Sequence, residues 1–207
     1  PIPYKDYEPD SQTEIAIQFI KDACLKDAPF ALFLSWGPPH DPWHTENVPA
    51  EYADIFKDID IPLRPNYSAE QDPHADAWGN MGEGYANKLK DNMRGYYAQT
   101  ANIDWNLGKI MKAIDQLGIA EDTILVFTSD HGEMFGSHGR RAKNIFYEES
   151  CHVPFLLSWS EENFTKSTID ICLNTPDIMP TILSLMNLPI PSEVEGNDLS
   201  HSIYGRS

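Results

Sequence analysis

Ser129-Asp130-His131-Gly132-Glu133 sets a carboxylate beside an imidazole, directly after an apolar run, Ile124-Leu125-Val126-Phe127. The run reads as a buried β-strand, and Gly132 lets the chain turn away from its end. Open α/β sheets bind ligands at the carboxyl edges of their strands. Neighbouring residues within a strand point to opposite faces, but a turn at the strand end can bring both to one ion. A carboxylate suits Ca²⁺, Mg²⁺, Mn²⁺ or Zn²⁺, whereas an imidazole leans towards zinc or another transition metal. Asp130 and His131 are therefore candidate metal ligands. Two are too few for either class of ion, so the others must come from elsewhere.

His40 follows a second apolar run, Phe30 to Trp36, inside Gly37-Pro38-Pro39-His40-Asp41-Pro42. Proline fixes φ and lowers the entropic cost of holding a neighbouring side chain in place. If the two runs are parallel strands, His40 and Asp130 share one sheet edge. A histidine there can give a proton to a leaving group or a hydrogen bond to a substrate anion. His40 and His44 have the spacing of a helical zinc pair, but Pro42 argues against the helix. Lys143 lies in Gly139-Arg140-Arg141-Ala142-Lys143-Asn144, the one local cluster of three basic residues in an acidic chain. Cations beside a metal-bearing strand end can hold a phosphate or sulfate. Tyr147-Glu148-Glu149-Ser150 then leads towards another strand, which keeps Lys143 near the sheet edge. Arg140 and Arg141 read as solvated and His138 as loop packing; His74, His152 and His201 carry no partner pattern.

The elements that must position these residues follow from periodicity. Ser11-Gln12-Thr13-Glu14 has the spacing of a capping box, and Ile15, Ala16, Phe19, Ile20, Ala23 and Cys24 continue with helical period. Residues 57–91 are rich in Pro, Asn, Asp and Gly and read as a long surface loop on the substrate side. Met93, Tyr96, Tyr97, Thr100, Ile103, Leu107, Ile110, Ile114 and Leu117 trace one helix face, and Gly118 supplies the stop. Strands are expected at 123–128 and 153–159, and a last helix with Asp177 as N-cap and Pro180 at N3. Alternating helices and strands predict an α/β fold with a mainly parallel sheet sandwiched between helices, in one partial domain over 1–207.

Composition narrows the function classes. With 32 acidic against 15 basic residues the formal charge is -17, which excludes a general nucleic-acid surface and disfavours anionic membranes. No apolar run reaches the roughly 18 residues of a membrane helix. Cys24, Cys151 and Cys172 lack the spacing of a disulfide framework or a zinc ribbon. The chain opens on Pro1-Ile2-Pro3-Tyr4, without a basic-then-apolar leader, and closes on Gly205-Arg206-Ser207, as expected of an excised piece.

Taken in order, these segments resemble the sulfatase family of the alkaline-phosphatase-like superfamily. The resemblance runs through Pro29 to Trp36 with Pro38-Pro39-His40-Asp41-Pro42, Gly95-Tyr96-Tyr97-Ala98 to Gly108-Lys109-Ile110, and Asp122 to Glu133. It continues with Lys143, Tyr147 to Ser150, Val153-Pro154-Phe155 and Asp177 to Leu183. It implies that Asp130 and His131 are one pair of ligands to a single divalent ion, usually calcium. It implies that His40 contacts the sulfate and assists the leaving alcohol, and that Lys143 binds a sulfate oxygen. The family's nucleophile is a formylglycine hydrate made from Cys or Ser in a C/S-x-P-x-R motif. No cysteine or serine here begins that motif, and there is no adjacent Asp-Asp pair. The chain is therefore expected to be a middle-to-C-terminal part of a longer enzyme, without turnover and with weak metal affinity by itself. The expected partner is a small-molecule or carbohydrate sulfate ester. A phosphonate or phosphodiester hydrolase of the same superfamily and a non-catalytic metal-binding module stay open as alternatives. The residues do not specify the ester or the oligomeric state, and the resemblance allows a periplasmic or secreted setting.

Overall fold

Residues 6–26, 28–160 and 168–204 are described by the computed structural model, so both ends of the chain noted above lie outside it. In chain order the elements begin with α1 (Glu8–Cys24), a 3-10 turn (Thr45–Asn47), α2 (Ala50–Ala53), a second 3-10 turn (Asp54–Phe56) and α3 (Gly82–Ala86). They continue with α4 (Leu89–Leu117), β1 (Leu125–Thr128), α5 (Glu148–Cys151), β2 (Phe155–Ser158), α6 (Thr175–Leu185) and α7 (Ser200–Ile203). The chain divides into two compact units, Pro1–Ser158 and Trp159–Ser207. No helix among the described residues is long and apolar enough to cross a membrane.

In the first unit α4 organises two apolar clusters. Its C-terminal half brings Ile110 and Ile114 against Ile20 of α1, with Phe30, Leu34, Trp36 and Leu125 packed around them. Its N-terminal half brings Leu89 and Met93 against Ile61 and Phe135, with Trp43, Tyr67, Tyr85 and Tyr96 around those. Burying an aliphatic side chain of this size is worth about 1.5–3 kcal/mol. Of the face predicted for α4, Met93, Ile103, Ile110 and Ile114 are buried but Tyr97 and Thr100 are exposed, and Ala98, Gln99, Asn102, Asn106 and Ala113 complete the buried side; Gly118 ends the helix at φ 68°, where glycine is unstrained. The amides of Gln99, Asn102 and Asn106 lie on the same face. Asn102 and Asn106 are fully buried, and both donate to Asp10 Oδ1, at 3.1 and 2.7 Å, which pins the start of α1 to mid-α4.

Several expectations are corrected. Helix α1 starts before the Ser11 capping box, because Pro9 in the first turn and acidic Glu8 and Asp10 already favour initiation there. Phe30–Trp36 is not in a ladder. Its alternate residues Phe30, Leu34 and Trp36 still pack inward while Phe33 is 97% exposed, so the side-chain period of a strand is kept without strand pairing. The one ladder among the described residues pairs β1 with β2 antiparallel, Leu125 opposite Ser158 and Thr128 opposite Phe155. A parallel return takes a crossover, usually through a helix, and the β1–β2 connection holds only the four residues of α5 in helix. The α/β class stands, with helices packed on a small sheet. Segment 57–91 is ordered by its partners: Ile61 and Met81 are buried, and Tyr67 and Asn80 bridge to Ser137 and Arg140.

In the second unit the N-cap of α6 is Asn174, not Asp177. Asp177 sits at N3 and closes a capping box, which moves Pro180 into the helix body.

Candidate active site

The loop carrying His40 is held from below by α4. Gln99 Nε2 donates to Pro42 O at 2.9 Å, and Trp43 Nε1 donates to Pro39 O at 2.7 Å, so the proline-rich turn is clamped on both sides of His40. Gly95 of α4 lets the Trp43 carbonyl approach so closely that a Cβ there would overlap it. The indole of Trp43 lies 4.9 Å from the ring of Phe135, which belongs to the loop that carries Lys143. One aromatic cluster thus supports both loops.

The loop from Gly132 to Lys143 is tied at several points. Gly132 N donates to Ser150 O at 2.8 Å, Met134 N to Ala142 O at 2.9 Å, and Gly136 N to Arg140 O at 2.7 Å. Arg64 Nη1 donates to the carbonyls of Glu133 and Met134, at 2.7 and 3.1 Å. Glu133 is buried, and its carboxylate accepts from Ala142 N. Burial pushes the Glu133 carboxyl up, opposed by the N–H groups of Ala142 and Phe135 and by the nearby Lys143 and His131.

All four predicted side chains meet in one place. Lys143 Nζ lies 2.7 Å from His40 Nε2, although the two residues are 103 apart in sequence. The rings of His40 and His131 stand edge to face with centroids 5.8 Å apart. His131 Nε2 is 3.6 Å from Asp130 Oδ2. His131 Nδ1 is 2.8 Å from Gly132 O, an acceptor only, so Nδ1 carries a proton and Nε2 is the nitrogen on the Asp130 side. Asp130 is highly exposed; its Oδ1 accepts from the His131 N–H at 3.0 Å, and its Oδ2 lies on the His131 ring side. His40 is fixed in the same manner: its Nδ1 is 2.6 Å from Asp41 Oδ1, while Nε2 faces the ammonium. His40 and His44 do not share a helix; His44 is the N-cap of the first 3-10 turn.

Other expectations fare differently. Arg140 is not solvated: it is 5% exposed and paired with Asp72 at 2.7 Å, so its charge is spent on joining segment 57–91 to the Lys143 loop. Arg141 donates to Trp78 O and lies over the Tyr85 ring. His138 packs as expected, stacked on Tyr147 with centroids 3.9 Å apart. Periodicity and motif spacing passed over Asp41 and Glu133. The signal for Glu133 was its place just before Met134-Phe135, an apolar pair that drags its neighbour inward. A cavity of about 750 Å³ is lined by Ser68, Asp72, Asp76, His138, Asn144 and Tyr147; none of the four clustered residues lines it. Its volume marks room next to Lys143's loop rather than the chemistry.

The fold is of the alkaline-phosphatase-like α/β class, as shown by a solved structure from the metabolism of glycosaminoglycans by Bacteroides thetaiotaomicron. That structure superposes with a TM-score of 0.83 at 28% identity, over 97% of this chain and 40% of that one. The chain belongs to the sulfatase family, whose model, Sulfatase, matches residues 3–188. It is 34% identical over 200 residues to an ulvan-active sulfatase of Formosa agariphila, covering 95% of this chain and 36% of that protein. It is 32% identical over 206 residues to an endo-4-O-sulfatase of Bacteroides thetaiotaomicron, covering 95% of this chain and 37% of that protein. The chain therefore spans a little over a third of the length of these curated relatives.

Proposed function

We propose that this chain supplies the leaving-group side and part of the metal site of a sulfuric ester hydrolase acting on sulfated carbohydrate. The convergence of Lys143 and His40 at 2.7 Å beside His131 carries the reading, because it gathers an ammonium and two imidazoles on one point of a strongly acidic chain. Sulfuryl transfer loads negative charge on the transferring oxygens and on the departing alcohol. Lys143 supplies a fixed positive donor for the former, and His40 Nε2 is placed to pass a proton to the latter. The names of the relatives, an endo-4-O-sulfatase and a protein of glycosaminoglycan metabolism, favour a carbohydrate ester. Segment 57–91 would shape the sugar side, since it is joined to the loop that carries Lys143 through Asp72–Arg140 and the Tyr67–Ser137 bridge.

Asp130 and His131 fit part of a divalent-metal site: an exposed carboxylate and an imidazole whose second nitrogen is tied to a carbonyl, the arrangement that orients a ligating histidine. Among the described residues no group of three or more His, Cys, Asp or Glu could hold a metal ion by itself, so further ligands are required. We assign the site to calcium, on the family resemblance. A bound ion supplies positive charge that polarises a sulfate oxygen. The chain has no Cys or Ser in a C/S-x-P-x-R motif, so it does not supply the formylglycine that the family resemblance implies.

The test is sulfate release by the longest gene product that carries this chain, from aryl sulfates and from 4-O- and 6-O-sulfated sugars. Lys143→Ala and His40→Ala should each lower kcat/KM by about 100-fold or more. A wild-type protein that hydrolyses aryl phosphodiesters but no sulfate ester would replace this reading with the phosphodiesterase one.

A further inference from the structure

We propose that Asp41 is a positioning residue that locks His40 in the Nδ1–H tautomer and keeps Nε2 turned towards Lys143. The inference rests on the hydrolase reading for its use, but on geometry for its existence. Lys143 Nζ presents only N–H groups, so the 2.7 Å contact makes His40 Nε2 an acceptor. The remaining ring proton then sits on Nδ1, 2.6 Å from Asp41 Oδ1. The Asp41 carbonyl lies farther off, at 3.3 Å from the same nitrogen, and is the weaker acceptor. The three groups form a line: carboxylate, imidazole, ammonium.

The consequence is a division of labour between the two ring nitrogens. With Nδ1–H held by Asp41, imidazole and imidazolium differ only at Nε2, the nitrogen that faces Lys143. When the S–O bond to the alcohol breaks and sulfur passes to an oxygen nucleophile, the electron pair stays on the alcohol oxygen. For that the ring first takes up a solvent proton at Nε2, giving up the bond from Lys143; passing this proton on neutralises the alcohol and returns the ring to its neutral Nδ1–H tautomer. Asp41 neither gains nor loses a proton. Without it the ring can place its proton on Nε2 in the neutral state, turn Nδ1 inward, and lose its contact with Lys143. The backbone cannot substitute fully, because the Asp41 carbonyl sits at the margin of hydrogen-bond distance.

Two readouts test this. In the ¹⁵N-labelled chain, long-range ¹H–¹⁵N correlations should show His40 as the Nδ1–H tautomer. Asp41→Ala should convert most of it to Nε2–H, and Asp41→Asn, which keeps an acceptor oxygen, should restore part of the original signal. An unchanged tautomer in Asp41→Ala would overturn the proposal. In the full-length gene product, Asp41→Ala should reduce kcat at least tenfold for sugar sulfates, whose alcohols leave poorly. It should leave nitrophenyl sulfate hydrolysis nearly unchanged, with KM little altered in either case. An equal loss for both leaving groups would mark Asp41 as merely structural. Absence of any sulfate release by wild type would defeat the hydrolase reading, and the tautomer measurement would still decide the role of Asp41.

Discussion

The carboxylate of Glu133 accepts a hydrogen bond from the backbone N–H of Ala142, the residue next to Lys143. A buried acid two positions after His131 therefore closes the loop that ends at the candidate sulfate-binding ammonium. Glu133→Ala would leave the Ala142 donor unsatisfied and open a void below the loop. The expected cost is about 1–3 kcal/mol, with Glu133→Gln nearer the low end because an acceptor oxygen remains. Urea denaturation of the three proteins measures it, and equal stability for wild type and Glu133→Ala would show that the latch does not matter.

Gly95 poses a choice between two opposed effects. Alanine in a helix interior is favoured over glycine by about 1 kcal/mol. Here the added Cβ would overlap the carbonyl of Trp43, a backbone atom with no freedom to swing away. Overpacking of this kind costs about 1–3 kcal/mol, so Gly95→Ala should destabilise on balance. It should also shift the loop that carries His40, and chemical-shift changes reaching His40 and Phe135 would report that. A raised melting temperature would mean that the loop gives way freely.

Much of this framework was legible in the sequence, for reasons that differ by residue. The α4 face was readable because helical period survives whatever packs against it, and Gly118 because a left-handed stop has few alternatives. Asp130, His131, His40 and Lys143 could be singled out because their flanks, a strand end, a proline cage and a basic cluster, are local. What escaped was non-local. Asn102 and Asn106 look like polar interruptions of α4 until Asp10 is seen opposite them. Arg140 looks solvated until Asp72 from the other loop is found against it. The antiparallel β1–β2 pairing is invisible to residue periodicity, since both orientations show the same side-chain alternation. The N-cap of α6 lies three residues before the Asp177 expected from sequence because Asn174 and Asp177 are both good caps, and only the reciprocal hydrogen bond tells them apart.

Asp10 and Asn106 provide a measurable coupling. Asn106→Ala removes one of the two amide donors to Asp10 Oδ1 and empties a fully buried site. The loss should be about 1–3 kcal/mol. Asp10→Ala should cost a similar amount, and the double variant less than the sum, because the two residues share one interaction. Strict additivity in a double-mutant cycle would show that the pair does not hold α1 to α4.

Asp177 gives the second unit a pH dependence whose sign is fixed by its partners. Hydrogen bonds from the backbone N–H groups of Asn197 and Asn174 hold its carboxyl below its ordinary value of 3.8. A depressed native pKa means that the unfolded state binds the proton more readily, so stability rises with pH through that window. The stabilisation is complete above the unfolded value and is lost as pH falls through the native one. Hydrogen-exchange protection factors for the α6 amides should therefore decline on acidification below about pH 4. Asp177→Asn places an amide where one carboxylate oxygen received an N–H, so its protection should be lower at neutral pH and nearly flat with pH. The two proteins should converge in acid, where the wild-type carboxyl is itself protonated. Parallel profiles offset by a constant amount would assign the effect to packing and remove the charge from the account.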